Sequence, residues 1–198
     1  MIDIDLVTVH HNDTNAAQAD ALVQQVQAVD PRAGIRHLLV DNRQNNRGFA
    51  AGCNLGAFHP KATAPIIGFL NPDVAVRGPF VDTVRSVLDD VTVITGCRFD
   101  KPQRELAEWG VNDWVCGAAF FVTRRWFQAL KGFDEQFTWS WEETDLIRQT
   151  EARGRHVRSV WLPIRHQSPE TNSPDDTRYK RYHFARGAQR YVAKWGRA

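Results

Sequence analysis

Apolar segments alternate with helical segments through the first half of the chain, and this alternation constrains the fold more than any other feature of the sequence. Segments that are mostly apolar, rather than regularly alternating, predict four short buried strands, over 6–9, 36–40, 66–70 and 91–95. Helical periodicity and helix-ending residues predict three helices between them, over 15–29, 50–58 and 80–88. Apolar strands that are separated by helices are typical of a parallel sheet covered on both faces.

The second half of the chain has less regular segments. They predict strands over 115–123 and 157–162 and helices over 124–130, 142–153 and 177–195. The last helix is amphipathic, with an apolar stripe of Phe184, Ala188, Tyr191 and Trp195 and a basic stripe of Arg186, Arg190, Lys194 and Arg197. We therefore expect an α/β fold: a Rossmann-like single domain over 1–198, with a mostly parallel central sheet flanked by helices and a C-terminal amphipathic helix.

Composition excludes several classes of protein. The 198 residues match one domain, and a net charge of +2 argues against a dedicated nucleic-acid-binding protein. The longest apolar run, 115–122, has eight residues, whereas a membrane-spanning helix needs about 20. The first residues lack the basic and apolar regions of a signal peptide, and the three scattered cysteines are typical of reduced thiols. We therefore expect a cytoplasmic protein.

The near-neutral net charge hides an asymmetry. Residues 1–150 carry 19 acidic and 14 basic side chains, whereas residues 151–198 carry 4 acidic and 11 basic ones. A basic amphipathic helix either packs on its domain with a solvated outer face or contacts anionic lipid headgroups. Two interpretations of residues 177–198 therefore stay open: packing on the domain with a solvated outer face, and peripheral contact with the inner face of the membrane.

Polar residues follow two of the predicted strands directly. Asp41 comes after the second strand, and Asn71-Pro72-Asp73 comes after the third. Parallel sheets bind ligands at the carboxyl ends of their strands, and a single aspartate there can hold Mg²⁺ or Mn²⁺ when a phosphate supplies the other oxygens. The alternative is an ordinary turn, since all three residue types of 71–73 favour turns.

Three carboxylates are concentrated at the start of the predicted helix 142–153. They lie in Trp139-Ser140-Trp141-Glu142-Glu143-Thr144-Asp145. A carboxylate at a helix N-terminus stays ionised and can act as a general base, and tryptophans suit packing against a sugar face. Alternatively, Ser140 and Glu143 form a capping box that only satisfies backbone N–H groups.

Two further features have open interpretations. His166 follows a predicted strand; as a metal ligand it would favour Mn²⁺ over Mg²⁺, but a histidine in such a place is also commonly structural. The glycine-spaced segment 46–56 lacks the dinucleotide-binding and P-loop patterns. Its glycines permit close approach of the backbone either to a ligand or to another element.

Taken in order, these segments resemble the family 2 glycosyltransferases, which have the GT-A fold. The resemblance covers 7–195 and is carried by Val40-Asp41-Asn42, the glycine-spaced segment 46–56, Leu70-Asn71-Pro72-Asp73, Cys116-Gly117-Ala118-Ala119-Phe120, Gly132-Phe133-Asp134-Glu135, Trp141-Glu142-Glu143-Thr144-Asp145-Leu146 and His166-Gln167-Ser168. Within the family the chain is most similar to the rhamnosyl- and galactofuranosyltransferase branch.

The resemblance implies roles for individual residues. Nucleotide binding falls to Thr8, Val9, His10, Asp41, Arg47, Asn71 and Asp73, with Asp41 reading a uracil or thymine ring. The metal ligands are Asp73 and His166. The catalytic pair is Glu142 and Glu143, with Glu143 as the base. The residues that border the donor or acceptor sugar are Trp114, Gly117, Ala118, Trp139, Trp141 and Asp145.

The reaction implied is an inverting, hexosyltransferase-type transfer that depends on Mn²⁺ or Mg²⁺. The donor is a UDP- or dTDP-sugar, and the acceptor is the hydroxyl of a glycan, a lipid-linked sugar or a protein. We expect residues 1–100 to bind the nucleotide, 101–176 to bind the donor sugar and acceptor, and 177–198 to form the basic helix; the sequence does not indicate an oligomeric state.

The chain departs from the family pattern at two positions. Asn71 replaces the first acid of the family's D-x-D motif, and Glu143 stands where aspartate is usual. These departures keep open a catalytically inactive nucleotide-sugar-binding subunit. A sugar nucleotidyltransferase is a further alternative, although no glycine-rich phosphate loop supports it.

Overall fold

The computed structural model describes residues 2–31, 34–99, 103–167 and 174–196. Its strands are β1 (Ile4–His10), β2 (Ile35–Asp41), β3 (Ile66–Leu70), β4 (Val74–Val76), β5 (Thr92–Gly96), β6 (Ala119–Thr123), β7 (His156–Ser159) and β8 (Ile164–His166). Its helices are α1 (Asp13–Val29), α2 (Phe49–Ala57), α3 (Val81–Val87), α4 (Gln103–Trp109), α5 (Arg124–Ala129), α6 (Glu142–Glu151) and α7 (Pro174–Trp195).

Six strands form the central sheet in the order β2-β1-β3-β6-β5-β7. All of them run in one direction except β6, which is antiparallel to both of its neighbours. The carboxyl ends of β1, β2, β3, β5 and β7 therefore lie at one edge of the sheet, which we call the carboxyl edge. The expected mostly parallel sheet is confirmed.

Side chains from alternate positions of the strands build a core on each face of the sheet. Val7, Ile67 and Phe120 belong to the core that α2, α5 and α6 cover. Their sequence neighbours Leu6, Ile66 and Phe121 belong to the core beneath α1 and α3. Both faces are buried, which explains why the central strands read as continuous apolar runs rather than as alternating ones.

Two glycines bring α2 close to the sheet. A Cβ atom at Gly52 would lie 2.6 Å from Val9 Cγ1, and one at Gly56 would lie 2.5 Å from Val7 Cγ1. Gly52 and Gly56 are four residues apart and so share one helix face. At these two positions the glycine-spaced segment serves helix–strand packing, which was one of its two open interpretations.

The apolar run 115–123 was predicted as one strand, and its first part is not a strand. β6 begins only at Ala119. The residues that precede β6 form a turn, in which the Ala119 N–H donates to the Cys116 carbonyl. The Asn71 N–H donates to the Ala118 carbonyl of the same turn. This turn carries Gly117 to the carboxyl edge.

A second, two-stranded sheet was not predicted. β4 and β8 pair antiparallel, and Val74 lies opposite His166 in their register. Each strand has only three residues, too few to show a period in the sequence. The predicted strand 157–162 ends at Ser159, and β8 begins after a short connection.

The C-terminal helix is present, as expected, and packs through its apolar stripe. Tyr191 forms a small aromatic cluster with Phe137 and Trp141, and Ala188 and Trp195 pack against it. α7 begins at Pro174, three residues before the predicted start, and the basic-stripe residue Arg197 lies outside the described residues.

Candidate functional site

The carboxyl edge brings together most of the residues predicted to bind a nucleotide. His10 and Asp41 end β1 and β2 in register, and His10 Nδ1 lies 3.9 Å from Asp41 Oδ1. Thr8 and Val9 precede this edge and are buried, with Val9 packed on Gly52 of α2. Of the three tip residues of β1, His10 is therefore the one that reaches the edge itself.

Asp41 is held by a residue that the sequence analysis did not single out. Its Oδ1 accepts from Arg43 Nε at 2.9 Å and its Oδ2 from Arg43 Nη2 at 2.6 Å, a two-point ion pair. The Arg43 guanidinium thereby holds the pKa of Asp41 well below its usual range. The sequence signal that could have indicated this ion pair is the opposite charge of two residues that lie two positions apart where β2 ends. Asp41 is ionised at neutral pH.

Arg47 lies in the loop that joins β2 to α2. Asn42 shapes this loop by donating to the Gly48 carbonyl, while Gly48 adopts φ +93° and lies so close to Thr138 that a Cβ atom would be 2.6 Å from the Thr138 carbonyl oxygen. The Arg47 side chain is exposed, and its Nη2 is 3.9 Å from Glu135 Oε2. Its contact with a nucleotide stays a prediction.

Asp73 and His166, the two predicted metal ligands, lie side by side. His166 Nε2 is 3.3 Å from Asp73 Oδ2. The β4–β8 sheet sets this approach, because Val74 pairs with His166 and the Gln167 N–H donates to the Asp73 carbonyl at 2.9 Å. The Phe99 ring packs on the imidazole, with ring centroids 5.7 Å apart.

The donor set at this pair fits a divalent cation that a phosphate helps to hold. In the described part of the chain, Asp73 Oδ1 and Asn71 Oδ1 are buried and have no hydrogen-bond partner, a state that costs free energy unless something else satisfies the oxygens. Neighbouring ligands of an octahedral ion are about 3 Å apart, close to the observed separation. No group of three or more His, Cys, Asp and Glu side chains suited to a metal occurs among the described residues, so Asp73 and His166 supply at most part of a coordination shell.

The backbone before α6 is strained. Ser140 and Trp141 have φ values of 63° and 78°, in the left-handed region that non-glycine residues rarely adopt. Trp141 is the N-cap residue of α6 and makes no side-chain capping hydrogen bond. The capping box between Ser140 and Glu143 is therefore not formed, and that alternative is wrong.

The strained turn directs two carboxylates into the protein. Glu142 and Glu143 are both buried. Burial, and then the charge of Glu143, raise the pKa of Glu142 well above its usual range. Gly117 lies in front of Glu143: a Cβ atom there would be 3.5 Å from the Glu143 Cδ. The unpredicted turn at 116–119 and the start of α6 therefore meet at Glu143.

The predicted sugar-contacting residues fall into two groups. Gly117 and Ala118 lie at the turn beside Glu143, and Trp139 is half-buried. Trp114 and Trp141 are buried, with Trp114 Nε1 donating to Thr144 and Trp141 packed among aromatic rings. The packing and hydrogen bond of Trp114 need no ligand, whereas the buried Trp141 Nε1 has no hydrogen-bond partner among the described residues. The contact of both tryptophans with a sugar stays a prediction.

The Asp145 carboxylate accepts hydrogen bonds from three side chains of the protein itself. This fully buried carboxylate accepts from Lys194 Nζ at 2.9 Å, from Trp195 Nε1 at 2.7 Å and from Gln149 Nε2 at 2.9 Å. The carboxylate therefore holds α7 against α6. Lys194, one of the basic-stripe residues, faces the protein rather than a membrane, and membrane contact through α7 stays a prediction.

Comparison with protein-family models and with curated protein sequences finds no match. Among solved structures, the chain is similar to a mannosyltransferase from Pyrobaculum calidifontis, in complex with GDP-Man and Mn²⁺, with a TM-score of 0.69 and 15% identity over 96% of this chain and 64% of that one. It is similar to the catalytic domain of Drosophila β1,4-galactosyltransferase 7, in complex with xylobiose, with a TM-score of 0.61 and 14% identity over 91% and 80% of the two chains.

A third similar structure is the glycosyltransferase GlyE of Streptococcus pneumoniae, with a TM-score of 0.56 and 8% identity over 100% of this chain and 65% of that one. The chain has the GT-A fold of these glycosyltransferases. It spans 64% of the length of the mannosyltransferase from Pyrobaculum calidifontis. None of the helices in the described ranges combines the length and hydrophobicity that membrane crossing requires.

Proposed function

We propose that this chain is an inverting, metal-dependent glycosyltransferase that moves a sugar from a UDP- or dTDP-sugar to an acceptor hydroxyl. The observation that carries the proposal is the Asp73–His166 pair at the carboxyl edge of a GT-A fold, together with two buried oxygens, Asp73 Oδ1 and Asn71 Oδ1, that have no hydrogen-bond partner among the described residues. Membership of family 2 and of its rhamnosyl- and galactofuranosyltransferase branch remains part of the proposal.

The neighbours support a nucleotide-sugar donor. The mannosyltransferase from Pyrobaculum calidifontis is in complex with GDP-Man and Mn²⁺, and a mutant of the Drosophila enzyme is in complex with manganese, UDP-Gal and xylobiose. In this chain Asp73 and His166 would hold the metal, with the Asn71 amide oxygen as a further acceptor that could serve the same cation. A divalent cation bound there would neutralise the charge that develops on the departing nucleoside diphosphate.

Glu143 would accept the proton of the acceptor hydroxyl as its oxygen attacks the anomeric carbon. Its position behind Gly117 leaves room for a sugar where a side chain would otherwise stand. General-base assistance of this kind contributes about 10²- to 10⁴-fold in rate. Glu142, whose raised pKa favours the neutral carboxyl, would donate a hydrogen bond rather than accept a proton.

At the nucleotide end, the ionised Asp41 would bind the base, with His10 beside it. The Arg43 ion pair fixes the carboxylate while leaving lone pairs on its oxygens. The acceptor, whether glycan, lipid-linked sugar or protein, would approach from the side of β5 and β7.

The proposal is tested by incubating the protein with Mn²⁺ and UDP-, dTDP- or GDP-sugars and measuring the nucleoside diphosphate released. Slow hydrolysis of one donor, abolished by chelation of the metal, supports a transferase. Donor binding without turnover would instead indicate the inactive binding subunit. Release of pyrophosphate from a nucleoside triphosphate and a sugar phosphate would indicate the nucleotidyltransferase.

Catalytic function and membrane contact are separable. Co-sedimentation with vesicles that contain anionic phospholipid tests the contact through α7, whose outer face exposes Tyr182 and Val192 beside arginines. Binding that is lost on Arg186→Ala and at high salt would support peripheral attachment. Failure to sediment would leave the donor assay as the measure of function.

A further inference from the structure

A cavity of about 490 Å³ lies at the carboxyl edge beside the proposed metal ligands. Its walls come from the segments that follow β5 and β7 and from β8. The residues that give it chemical character are Arg98, Phe99, Trp161 and Arg165. Its volume lies in the range of small-molecule sites.

Contacts of the cavity lining lead both to a proposed metal ligand and to the turn beside the proposed base. Phe99 lines it and packs its ring on His166, one of the two proposed metal ligands. Cys97 also lines it, and the Cys97 carbonyl accepts from the Cys116 N–H at 2.8 Å. Cys116 precedes Gly117, which lies against Glu143. The hydrogen bond between Cys116 and Cys97 thus joins the lining of the cavity to the turn beside the proposed base.

Strand order indicates which substrate belongs there. The nucleotide end of the site is at β1 and β2, and the Asp73–His166 pair follows β3 and β8. The cavity lies beyond this pair, at β5 and β7. A donor whose base lies at β2 and whose diphosphate lies at Asp73 fills the first two positions, so the cavity is left for the acceptor.

The lining combines an aromatic surface with cationic groups. Trp161 is 84% exposed, the largest exposed fraction among the large hydrophobic side chains in the described ranges. Arg165 is exposed on β8, and no described residue forms an ion pair or side-chain hydrogen bond with it. Tryptophan is enriched at binding surfaces because its ring is largely apolar and its N–H is polar, and guanidinium groups bind carboxylates and phosphates at two points.

Among the described residues, no Asp or Glu lines the cavity, so no described carboxylate competes there for Arg165. Asp113 lies behind Ser159, where it accepts from the Ser159 N–H at 2.6 Å and from its hydroxyl at 2.9 Å. The described lining of the cavity is thus a cationic and aromatic surface.

These observations rest on the proposed function and specify its acceptor. We infer that the cavity binds a sugar unit of the acceptor that carries an anionic group, with Trp161 against the face of the sugar and Arg165 bound to the anion. A carboxylate and a phosphate share the chemistry that a guanidinium recognises, so the anion belongs to either a uronic acid or a sugar phosphate.

The test is a titration followed by ¹H–¹⁵N NMR, with no donor or metal present. The indole N–H signal of Trp161 is identified as the one that Trp161→Phe removes. The ligands are glucuronate, glucose 6-phosphate, glucose and inorganic phosphate. We expect glucuronate, glucose 6-phosphate or both to shift the Trp161 signal at concentrations at least about tenfold lower than glucose does.

The comparison among ligands identifies the anion. A response to glucuronate alone indicates a uronic acid, a response to glucose 6-phosphate alone indicates a sugar phosphate, and a response to both indicates recognition of charge. A response to inorganic phosphate as strong as that to the sugar phosphate would overturn the inference, since no sugar would then be recognised. Equal responses to glucose and to the anionic sugars, or no response, would overturn it as well.

Variants separate the two contacts. Arg165→Ala should weaken binding of the anionic sugars about tenfold, as expected for loss of a charge-assisted hydrogen bond, and should leave glucose unaffected. Arg125→Ala is the matched control, because Arg125 is an exposed arginine at the start of α5, at the opposite edge of the sheet. If Arg125→Ala and Arg165→Ala weaken binding equally, the effect is one of net charge and the inference fails.

Competition distinguishes the acceptor from the donor. UDP with Mg²⁺ should leave the Trp161 response to the anionic sugar in place. Displacement of the sugar by UDP would show that the cavity belongs to the donor diphosphate and would overturn the assignment. The titration needs no turnover, so it can fail while donor hydrolysis succeeds, and it can succeed in a protein that hydrolyses no donor.

Discussion

Asp73 and His166 lie 93 positions apart in the sequence, and their side chains meet at 3.3 Å. The contact depends on β4 and β8, whose register places His166 opposite the residue that follows Asp73. Two three-residue strands thus bring a residue from the first half of the chain to one from the second half. We propose that this junction separates the end of the carboxyl edge that binds the nucleotide from the end that binds the acceptor.

Glu143→Gln should reduce glycosyl transfer by about 10²- to 10⁴-fold, the range expected for loss of a general base. Binding of the donor should survive, because the amide retains the size of the carboxylate. Glu142→Gln should cost less, since the raised pKa of Glu142 favours a neutral carboxyl that an amide resembles. Steady-state transfer rates with both variants check this order, and an equal or larger loss in Glu142→Gln would argue against Glu143 as the base.

Gly52→Ala and Gly117→Ala should distinguish a glycine that is needed for helix–strand packing from one that is needed for access of a sugar to Glu143. At Gly52 the added Cβ would lie 2.6 Å from Val9 Cγ1, and overpacking of this kind costs about 1–3 kcal/mol in the free energy of unfolding. At Gly117 the nearest atom, the Glu143 Cδ, would be 3.5 Å away, so we expect a stable protein with slower transfer. Urea unfolding and donor kinetics measure the two effects. A destabilised but fully active Gly117→Ala variant would contradict the position given to Gly117.

Asp145→Asn should loosen α7. The change weakens hydrogen bonds from Lys194 and Trp195 to a fully buried carboxylate, and a bond to a charged group contributes about 1.5–3 kcal/mol. Asp134→Asn is the control, because the less buried Asp134 also accepts from Lys194 Nζ, at 2.8 Å. Urea unfolding should show a larger loss for Asp145→Asn. A larger loss of unfolding free energy for Asp134→Asn would mean that Asp134, rather than Asp145, holds α7 in place.

Tyr191 should make the protein less stable at alkaline pH. Its hydroxyl donates to the Trp109 carbonyl at 2.6 Å, and burial raises its pKa to about 12. The folded state therefore retains a proton that the unfolded state releases near pH 10. The stabilisation is complete below pH 10 and is lost as the pH rises towards 12, by up to about 2 kcal/mol.

Tyr191→Phe provides the control for this titration. The variant lacks the phenol but keeps the other alkaline groups, among them Cys97, whose pKa burial raises to about 11. The free energy of unfolding should therefore fall less steeply between pH 10 and pH 12 in Tyr191→Phe than in the unmodified chain. Parallel pH profiles would show that Tyr191 does not titrate with folding.

The strands at the centre of the sheet could be predicted because burial on both faces leaves continuous apolar runs such as 66–70. The same rule failed at 115–118, where an apolar segment turns rather than extends, with one local hydrogen bond and others to residues distant in the sequence. β4 and β8 could not be predicted, because their pairing is non-local and each is shorter than one detectable period.

The candidate site was predictable in its residues but not in its contacts. Asp73, Glu143 and His166 were singled out individually and through the family resemblance, and the pairing of Asp73 with His166 emerged only from the fold. The capping box was wrong because Ser140 and Trp141 adopt left-handed conformations that sequence pattern does not reveal. Trp161 carried no motif, and only its exposure distinguishes it from the other tryptophans.

Metal-dependent nucleotide binding tests the central claim most directly. In calorimetric titrations of UDP and dTDP, with and without Mn²⁺, we expect binding that requires Mn²⁺ and that falls at least about tenfold in Asp73→Asn and in His166→Ala. Asp20→Asn, at an exposed position on α1, is the matched control and should bind as the unmodified chain does. Mn²⁺-dependent binding that is equal in all four proteins would contradict the site built on Asp73 and His166.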